Sequence, residues 1–480
     1  MQPHPLRHRS RCLTTGIGLW LCLWLGSLNG QDIRVATFNA SLNRPSAGQL
    51  LRDLSRPDSS AARQIKRVAE IIQRVRPDIL LVNEFDHDEE GEGMKLFQKN
   101  FLSIGQGDQE PITYPHRFTA PSNTGVASGK DLDNNRRVVT NPGSNDYAGD
   151  AFGFGTFPGQ YGMVVYSQFP IKDALLRSFQ TFLWKDMPNN LMPNGEEGRP
   201  NYYDNEETAV FRLSSKSHWD LPIEVNGALL HLLVSHPTPP VFDGAEDRND
   251  RRNHDEIRLW KDYLMKESSD YIYDDSGLAG GLADNERFVI MGDLNADPSD
   301  GDSTNGAIAQ LLDHPRVHAT PAPSGPGGTE VADRQHRGNP AEDTADFSRE
   351  NLRADYVLPS KAGFTVRDAK VFWPERNDPL SASVRGASDH RLVYLDLTLT
   401  SVAPPAVSRL QIKREATTAQ LQWQGQPNFS YSVHWSQDLQ APWTDDPGIK
   451  AEAKEGNVWS AADSTSTKRR FYRVQATKSP

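Results

Sequence analysis

The sequence predicts an α/β fold built on mixed sheets, and three features predict it. Short apolar runs bounded by turn formers recur along the chain and read as buried strands. Between them, residues 61–76 and 247–265 carry apolar side chains at helical spacing. Polar residues suited to chemistry close some strands (Asn39, Glu84, His236, Asp293, Asn295) and open others (Asp355, Asp389, His390). If they gather at one edge, closing strands run toward it and opening strands run away. That requires a mixed or antiparallel sheet, because a purely parallel doubly wound sheet collects its site at strand carboxyl ends.

The chain has 480 residues, room for two or three domains. Arg7, Arg9 and Arg11 precede an apolar run from Leu13 to Leu28, followed by Asn29, Gly30 and Gln31. Residues 1–30 therefore resemble a secretory signal peptide, and a secreted or periplasmic protein is expected. The run is short for a membrane span; an uncleaved anchor is the other reading, since Leu28 fits poorly at the small-residue position before a cut after Gly30. Both cysteines, Cys12 and Cys22, lie inside it, so the mature chain would form neither a disulfide nor a thiolate metal site. The formal net charge is −11, which disfavours tight nonspecific nucleic-acid binding unless basic groups cluster, without excluding a nuclease.

From Asp32 to Phe38 apolar and polar residues alternate as in a first strand ending at Asn39, an amide that can serve a metal or phosphate, or simply begin a turn. Ile65, Val68, Ile71, Ile72 and Val75 then share one helical face, and Pro77 stops the helix. Asp78 to Val82 delivers Asn83 and Glu84 to the end of a second strand. A lone acid after so apolar a run needs solvent, a partner or a cation, and Mg²⁺ is commonly held by only one or two carboxylates. From Asp86 to Gln160 periodicity is lost, which reads as a long insertion. Within it Asp131, Asp133 and Asn135 have the start of a calcium-loop spacing, but Arg136 and Pro142 break the later positions, so a structural Ca²⁺ and a solvated acidic loop both stand.

Tyr161 to Tyr166 and Leu229 to Val234 resume the strand pattern, the latter ending in Ser235, His236 and Pro237. His236 at that end can contact phosphate or play a structural part. The 247–265 helix carries Arg248, Arg251, Arg252 and His254 in its first turns; with Arg337 and Arg353 farther on, Arg251, Arg252 and His254 are candidates to bind phosphate, a solvated face being the alternative. Phe288 to Met291 forms a buried strand that presents Gly292, Asp293, Leu294 and Asn295. Asp293 can take a proton from water while Asn295 donates to a phosphate oxygen or braces the acid. A short helix is expected at 303–312, then a loop containing His336, Arg337, Asp343 and Asp346, a strand opened by Asp355, and one preceded by Ser388, Asp389 and His390.

N-x-S-L-N at Asn39, N-E at Glu84, S-H-P at His236, G-D-L-N at Asp293, D-Y-V-L-P at Asp355 and S-D-H-R at Asp389 together resemble the endonuclease/exonuclease/phosphatase superfamily, with its deoxyribonuclease I-like fold, over roughly residues 32–400. The resemblance implies a four-layered α/β sandwich, two packed sheets flanked by helices, with a divalent-metal site at one edge. It implies that Glu84 binds Mg²⁺ or Mn²⁺, aided by Asn39 and Asp389. Asp293 would orient or deprotonate water, Asn295 hold a nonbridging oxygen, and His390, fixed by Asp355, stabilise charge on phosphate. His236 would contact phosphate or act as an acid. The expected activity is metal-dependent hydrolysis of phosphate esters, by an endonuclease or exonuclease. A phosphatase, a sphingomyelinase-type phosphodiesterase and a noncatalytic surface-binding protein are the alternatives. The substrate would be nucleic acid or a small or lipid phosphoester, and the protein a monomer.

After a linker near 402–405, short strand-like runs from Arg409 onward predict a small β-sandwich, residues 405–480, beside the catalytic domain at 31–400. Its Trp423, Trp435, Trp443 and Tyr472 suit a core, or a platform contacting polysaccharide.

Overall fold

The structure, a computed structural model, describes residues 31–194, 201–284, 286–331, 335–348 and 350–400, and farther on 408–415, 418–424, 429–436, 444–445, 449–453, 458–463 and 471–478. The signal-peptide reading at 1–30 lies outside the described residues. No described helix is long and apolar enough to cross a membrane.

The strands are β1 (Asp32–Leu42), β2 (Ile79–Phe85), β3 (His116–Phe118), β4 (Met163–Ser167), β5 (Arg177–Ser178), β6 (His218–Val225), β7 (Ala228–Ser235), β8 (Phe288–Asp293), β9 (Ala345–Asp346), β10 (Asn351–Leu352), β11 (Asp355–Pro359), β12 (Phe364–Val371) and β13 (Val393–Leu399). One sheet has the order β12-β13-β1-β2-β4-β3 and the other β11-β8-β7-β6-β5. Only β1–β2 and β7–β8 pair in parallel within them; their other ladders are antiparallel. Both sheets are thus mixed, as the opposed polarity of the polar strand ends requires.

Alternation along the strands decides the layers. Val35, Leu81 and Val165 of one sheet face Leu221, Leu232, Val289 and Val357 of the other, forming an apolar interior between them. The opposite face of the first sheet, Ala36, Phe38, Leu80 and Val82, packs on Ile65, Val68 and Ile72 of the helix Ala62–Val75. That helix ends where Arg76 turns left-handed at φ 52°, before Pro77. On the far side Leu233, Phe288 and Ile290 pack on Ile257, Trp260 and Tyr263 of the helix Arg248–Tyr263. At roughly 1.5–3 kcal/mol per fully buried large apolar side chain, these three interiors far outweigh any single polar contact. Helix, sheet, sheet, helix is the four-layered sandwich expected.

Several elements differ from expectation. β1 runs on through Asn39 to Leu42, and β2 through Glu84 to Phe85, so both residues lie within strands rather than after them. The presumed loop at 86–160 contains β3 and the helices Glu92–Phe97 and Asn145–Gly149. The 303–312 helix is a short 3-10 turn followed by Ala309–Leu312.

Farther on, strands Ser408–Glu415, Thr418–Gln424, Val458–Asp463 and Glu452–Ala453 form one sheet, and Thr444–Asp445, Phe429–Ser436 and Phe471–Lys478 another. Leu421, Trp423 and Ala461 of the first share a core with Tyr431 and Val433 of the second. Trp423 is a core residue with 1% exposure, and Trp435 and Tyr472 pack partly against the same cluster. Trp423 therefore cannot serve a platform; Trp443 lies outside the described residues.

Candidate active site

The opposed strands meet at one edge. β8 and β11 are antiparallel with Asp293 directly opposite Asp355, so a residue that closes one strand and a residue that opens its neighbour become cross-strand partners. β13 runs antiparallel to β1, which brings the preceding Ser388, Asp389 and His390 to the end of β1. Ser388 fixes that junction: its hydroxyl donates to the carbonyl of Asn39 at 2.8 Å and accepts the His390 amide at 3.0 Å.

Asp293 Oδ2 is the hub. Asn39 Nδ2 donates to it at 2.9 Å, while His236 Nε2 lies 3.4 Å and His390 Nε2 3.7 Å away. The other oxygen, Oδ1, accepts the Asn295 amide at 3.0 Å. Gly292 is required just before this residue, because a Cβ there would sit 1.9 Å from the Ser235 carbonyl oxygen of β7. Glu84, Asn295 and Ser41 hold left-handed backbone at φ 58°, 51° and 46°, strain that the surrounding packing must sustain.

His390 is gripped from behind. Its Nδ1 lies 2.8 Å from Asp355 Oδ2, and Thr344 Oγ1 donates to the same oxygen at 2.8 Å. The Phe347 ring meets the imidazole edge-on at 5.3 Å. Burial alone would discharge this imidazole, but Asp355 and Asp293 outweigh it and lift the pKa to about 10. His236 is the opposite case: burial, then Lys216 and His390, push its pKa well below the usual range, so it is neutral. Burial raises the carboxyls of Asp293 and Glu84, with His390 and Asn39 partly offsetting it. Asp86, two residues beyond Glu84, rises to about 7 for the same first reason, although the Arg44 and Tyr161 amides bond to it.

The donors fit a hard divalent cation. Glu84 is partly exposed and Asp389 exposed, Ser41 Oγ donates to Asp389 at 3.1 Å, and the set offers oxygen atoms without a thiolate. Asp293, Asp355 and His390 also present ligand atoms within 4.8 Å of one another. A carboxyl that burial pushes toward its neutral form at this edge is relieved by a cation.

Sequence reasoning missed Lys216 and Thr344. Lys216 precedes β6, is buried, and donates to the Pro237 carbonyl at 3.4 Å. Burial lowers its pKa, while the neighbouring charges of Glu256, Asp293 and Glu84 partly offset that shift. It lies in S-S-K-S, without apolar periodicity, and only the S-H-P strand end paired beside it by the β6–β7 hairpin hints at its place.

The proposed phosphate clamp needs correcting at Arg252. This side chain is buried and donates to the carbonyls of Leu213, Phe152 and Arg212 while stacking over Phe211, so it braces loops instead of facing ligand. It shares its inward face with Glu256, which accepts the amides of Ser215 and Thr238. Arg353, also buried, lies over Tyr356 and reaches Glu342 at 3.5 Å. His254 pairs with Asp255 at 3.0 Å, and the exposed Arg337 pairs with Asp300 at 3.4 Å. Arg251 lies half-buried on the same helix. Around Asp131 and Asp133, Asp150 supplies the third carboxylate of a compact group, not Asn135, whose Nδ2 donates to Asp133 at 3.0 Å. Backbone amides of residues 132, 135, 136 and 139 already satisfy these carboxylates.

A four-layered sandwich with acids, amides and imidazoles converging at one sheet edge defines a class of protein. The model of the Endonuclease/Exonuclease/phosphatase family matches residues 36–390, and the chain belongs to that family. Among solved structures it is similar to an endonuclease/exonuclease/phosphatase from Beutenbergia cavernae, at 17% identity over 94% of this chain and 93% of that one, TM-score 0.43. It is also similar to sphingomyelinase C from Streptomyces griseocarneus, at 15% identity over 76% and 99%, TM-score 0.36. A Staphylococcus aureus beta toxin with bound magnesium ions matches at 14% identity over 76% and 99%, TM-score 0.37. No curated protein matches the sequence.

Proposed function

We propose that this protein is a secreted, divalent-metal-dependent hydrolase of phosphate esters. The observation that carries the reading is Asp293 Oδ2, held by Asn39 at 2.9 Å and flanked by two imidazoles within 3.7 Å. Asp293 accepts the proton of the attacking water; Asn39 and the Asn295 amide hold its carboxylate in the attacking orientation. The His390 imidazolium, kept charged by Asp355, stabilises negative charge on the phosphoryl oxygens, and buried Lys216, just before β6, adds an amine donor. His236, neutral, contacts phosphate as a hydrogen-bond partner; the low pKa argues against the alternative that it supplies the leaving-group proton. Glu84, with Asn39 and Asp389, would hold Mg²⁺ or Mn²⁺, which supplies Lewis-acid polarisation of phosphate.

A small or lipid-borne ester suits the site better than a polymer. Arg252 and Arg353 are turned inward and Arg337 is paired with Asp300, so three of the arginines that would line a nucleic-acid groove are engaged elsewhere. The overall negative charge supports the same reading. One metal and one buffer, assayed against plasmid DNA, RNA, sphingomyelin, inositol phosphates and nucleotides, test both parts. Turnover of a small or lipid ester that chelator abolishes is expected. Absence of turnover on the whole panel by folded protein would favour a noncatalytic binding role, with the C-terminal segment engaging polysaccharide.

A further inference from the structure

Behind the catalytic edge the segment 335–346 folds back on the loop that follows Asn295. His336 stands between two carboxylates there, with Nδ1 3.5 Å from Asp300 Oδ2 and Nε2 3.6 Å from Asp343 Oδ2. The His336 and Asp343 side chains are only 6% and 3% exposed. Yet His336 Nε2 and Asp343 Oδ2, the two atoms that face each other, are buried without a hydrogen-bond partner. Leaving such atoms unmet is costly, more so when one is charged.

The spacing says what they await. At 3.6 Å the pair is too long for a hydrogen bond. Two ligands each about 2.0–2.2 Å from a shared zinc ion at a roughly tetrahedral angle stand about 3.4 Å apart. Asp300 occupies the place of an outer carboxylate: it accepts the Gly338 amide at 2.8 Å, lies beside Nδ1, and so leaves Nε2 as the ligand nitrogen. Gly338 lies against this group: a Cβ there would come 3.1 Å from Asp300 Oδ2 and 3.5 Å from His336 Nε2. Burial, and then Asp297, Asp300 and Glu342, raise the Asp343 carboxyl to about 8, which a cation would reverse.

We propose that His336 Nε2 and Asp343 Oδ2 bind a zinc-class divalent cation at a site separate from the catalytic edge, with Asp300 orienting the imidazole and water completing the shell. Imidazole in the donor set selects zinc-like ions over Mg²⁺, which prefers oxygen alone. The site would pin 335–346 against 297–300, next to Thr344, which supports Asp355.

Full-length Glu84→Gln protein, stripped with chelator, incubated with Zn²⁺ and gel-filtered, tests the site by elemental analysis. About one Zn²⁺ per chain is expected to remain, and adding His336→Gln or Asp343→Asn should lower the affinity at least tenfold. Asp300→Asn should keep the stoichiometry while weakening binding about 10–100-fold. Equal Zn²⁺ retention in the His336 and Asp343 variants, or none in the Glu84→Gln parent, overturns the proposal. So does loss of thermal stability in His336→Gln with Zn²⁺ binding unchanged, since that marks a plain ion pair. Should a variant not fold, X-ray absorption of the folded Zn²⁺-loaded Glu84→Gln protein decides: a first shell without an imidazole nitrogen overturns it.

Discussion

His390 Nδ1 lies 2.8 Å from Asp355 Oδ2, an oxygen that also accepts the Thr344 hydroxyl. The pair keeps the imidazole charged to about pH 10 and leaves Nε2 aimed at the Asp293 hub. If the imidazolium is needed, activity persists on the alkaline side until that proton is lost. Asp355→Asn removes the charge that holds it, so the alkaline limb of the kcat profile should fall toward an ordinary imidazole value of about 6.5. An unmoved limb in that variant would assign it to another group.

The acid limb is expected to follow Asp293. Its carboxyl is raised by burial, so the base form is lost at higher pH than for a free aspartate, and activity should decline from near neutrality downward. Asp293→Asn should lower kcat by about 10²–10⁴-fold with little change in folded content by circular dichroism. Retained activity would sink the assignment of the base.

Lys216 offers a sharper test because nothing else in the chain marks it. Replacing this buried amine with Met keeps its apolar stem and removes one donor, which typically costs about 10²–10³-fold in kcat. Lys216→Arg should recover part of the loss. A change confined to thermal stability would return the lysine to a structural part.

Gly292→Ala probes the fold beneath the site. The added methyl would meet the Ser235 carbonyl at 1.9 Å, so β7 and β8 must separate. A loss of at least about 1–3 kcal/mol is expected, read as a lower melting temperature alongside lower activity. An unchanged melting temperature would mean that the parallel pair yields more easily than its packing suggests.

Salt separates the substrate classes. A polymer that sheds counterions from several phosphates loses affinity steeply as salt rises, whereas a small ester does not. A shallow dependence of kcat/KM is expected here, and a steep one would restore the nucleic-acid reading.

Much of this was legible because apolar strands end abruptly. Asp293, Glu84, Asp355 and His390 stand out as polar residues beside runs that must be buried, and their opposed polarity required mixed sheets. The converse also holds. β6 escaped notice because Pro222 interrupts it, which the chain tolerates one strand in from that sheet's edge, beside the two-residue β5. β12 forms the other sheet's outer edge, with exposed Thr365, Arg367 and Lys370 masking its period. Arg252 misled because a charged residue in a helix's first two turns normally faces solvent; Glu256 one turn on and the carbonyls of Phe152, Arg212 and Leu213 were invisible in a one-dimensional reading.

Asn39 and Glu84 ride on one sheet, Asp293 and Asp355 on the other, and the two are joined by an apolar seam capped at the edge by the Asn39–Asp293 and His390–Asp355 contacts. The reactive geometry is therefore a measurement of sheet-to-sheet alignment, as a vernier reads the offset between two scales. Anything that lets the halves slip by a fraction of an ångström, such as warmth or a trimmed side chain at Val35 or Val289, spoils the reading while each sheet remains intact.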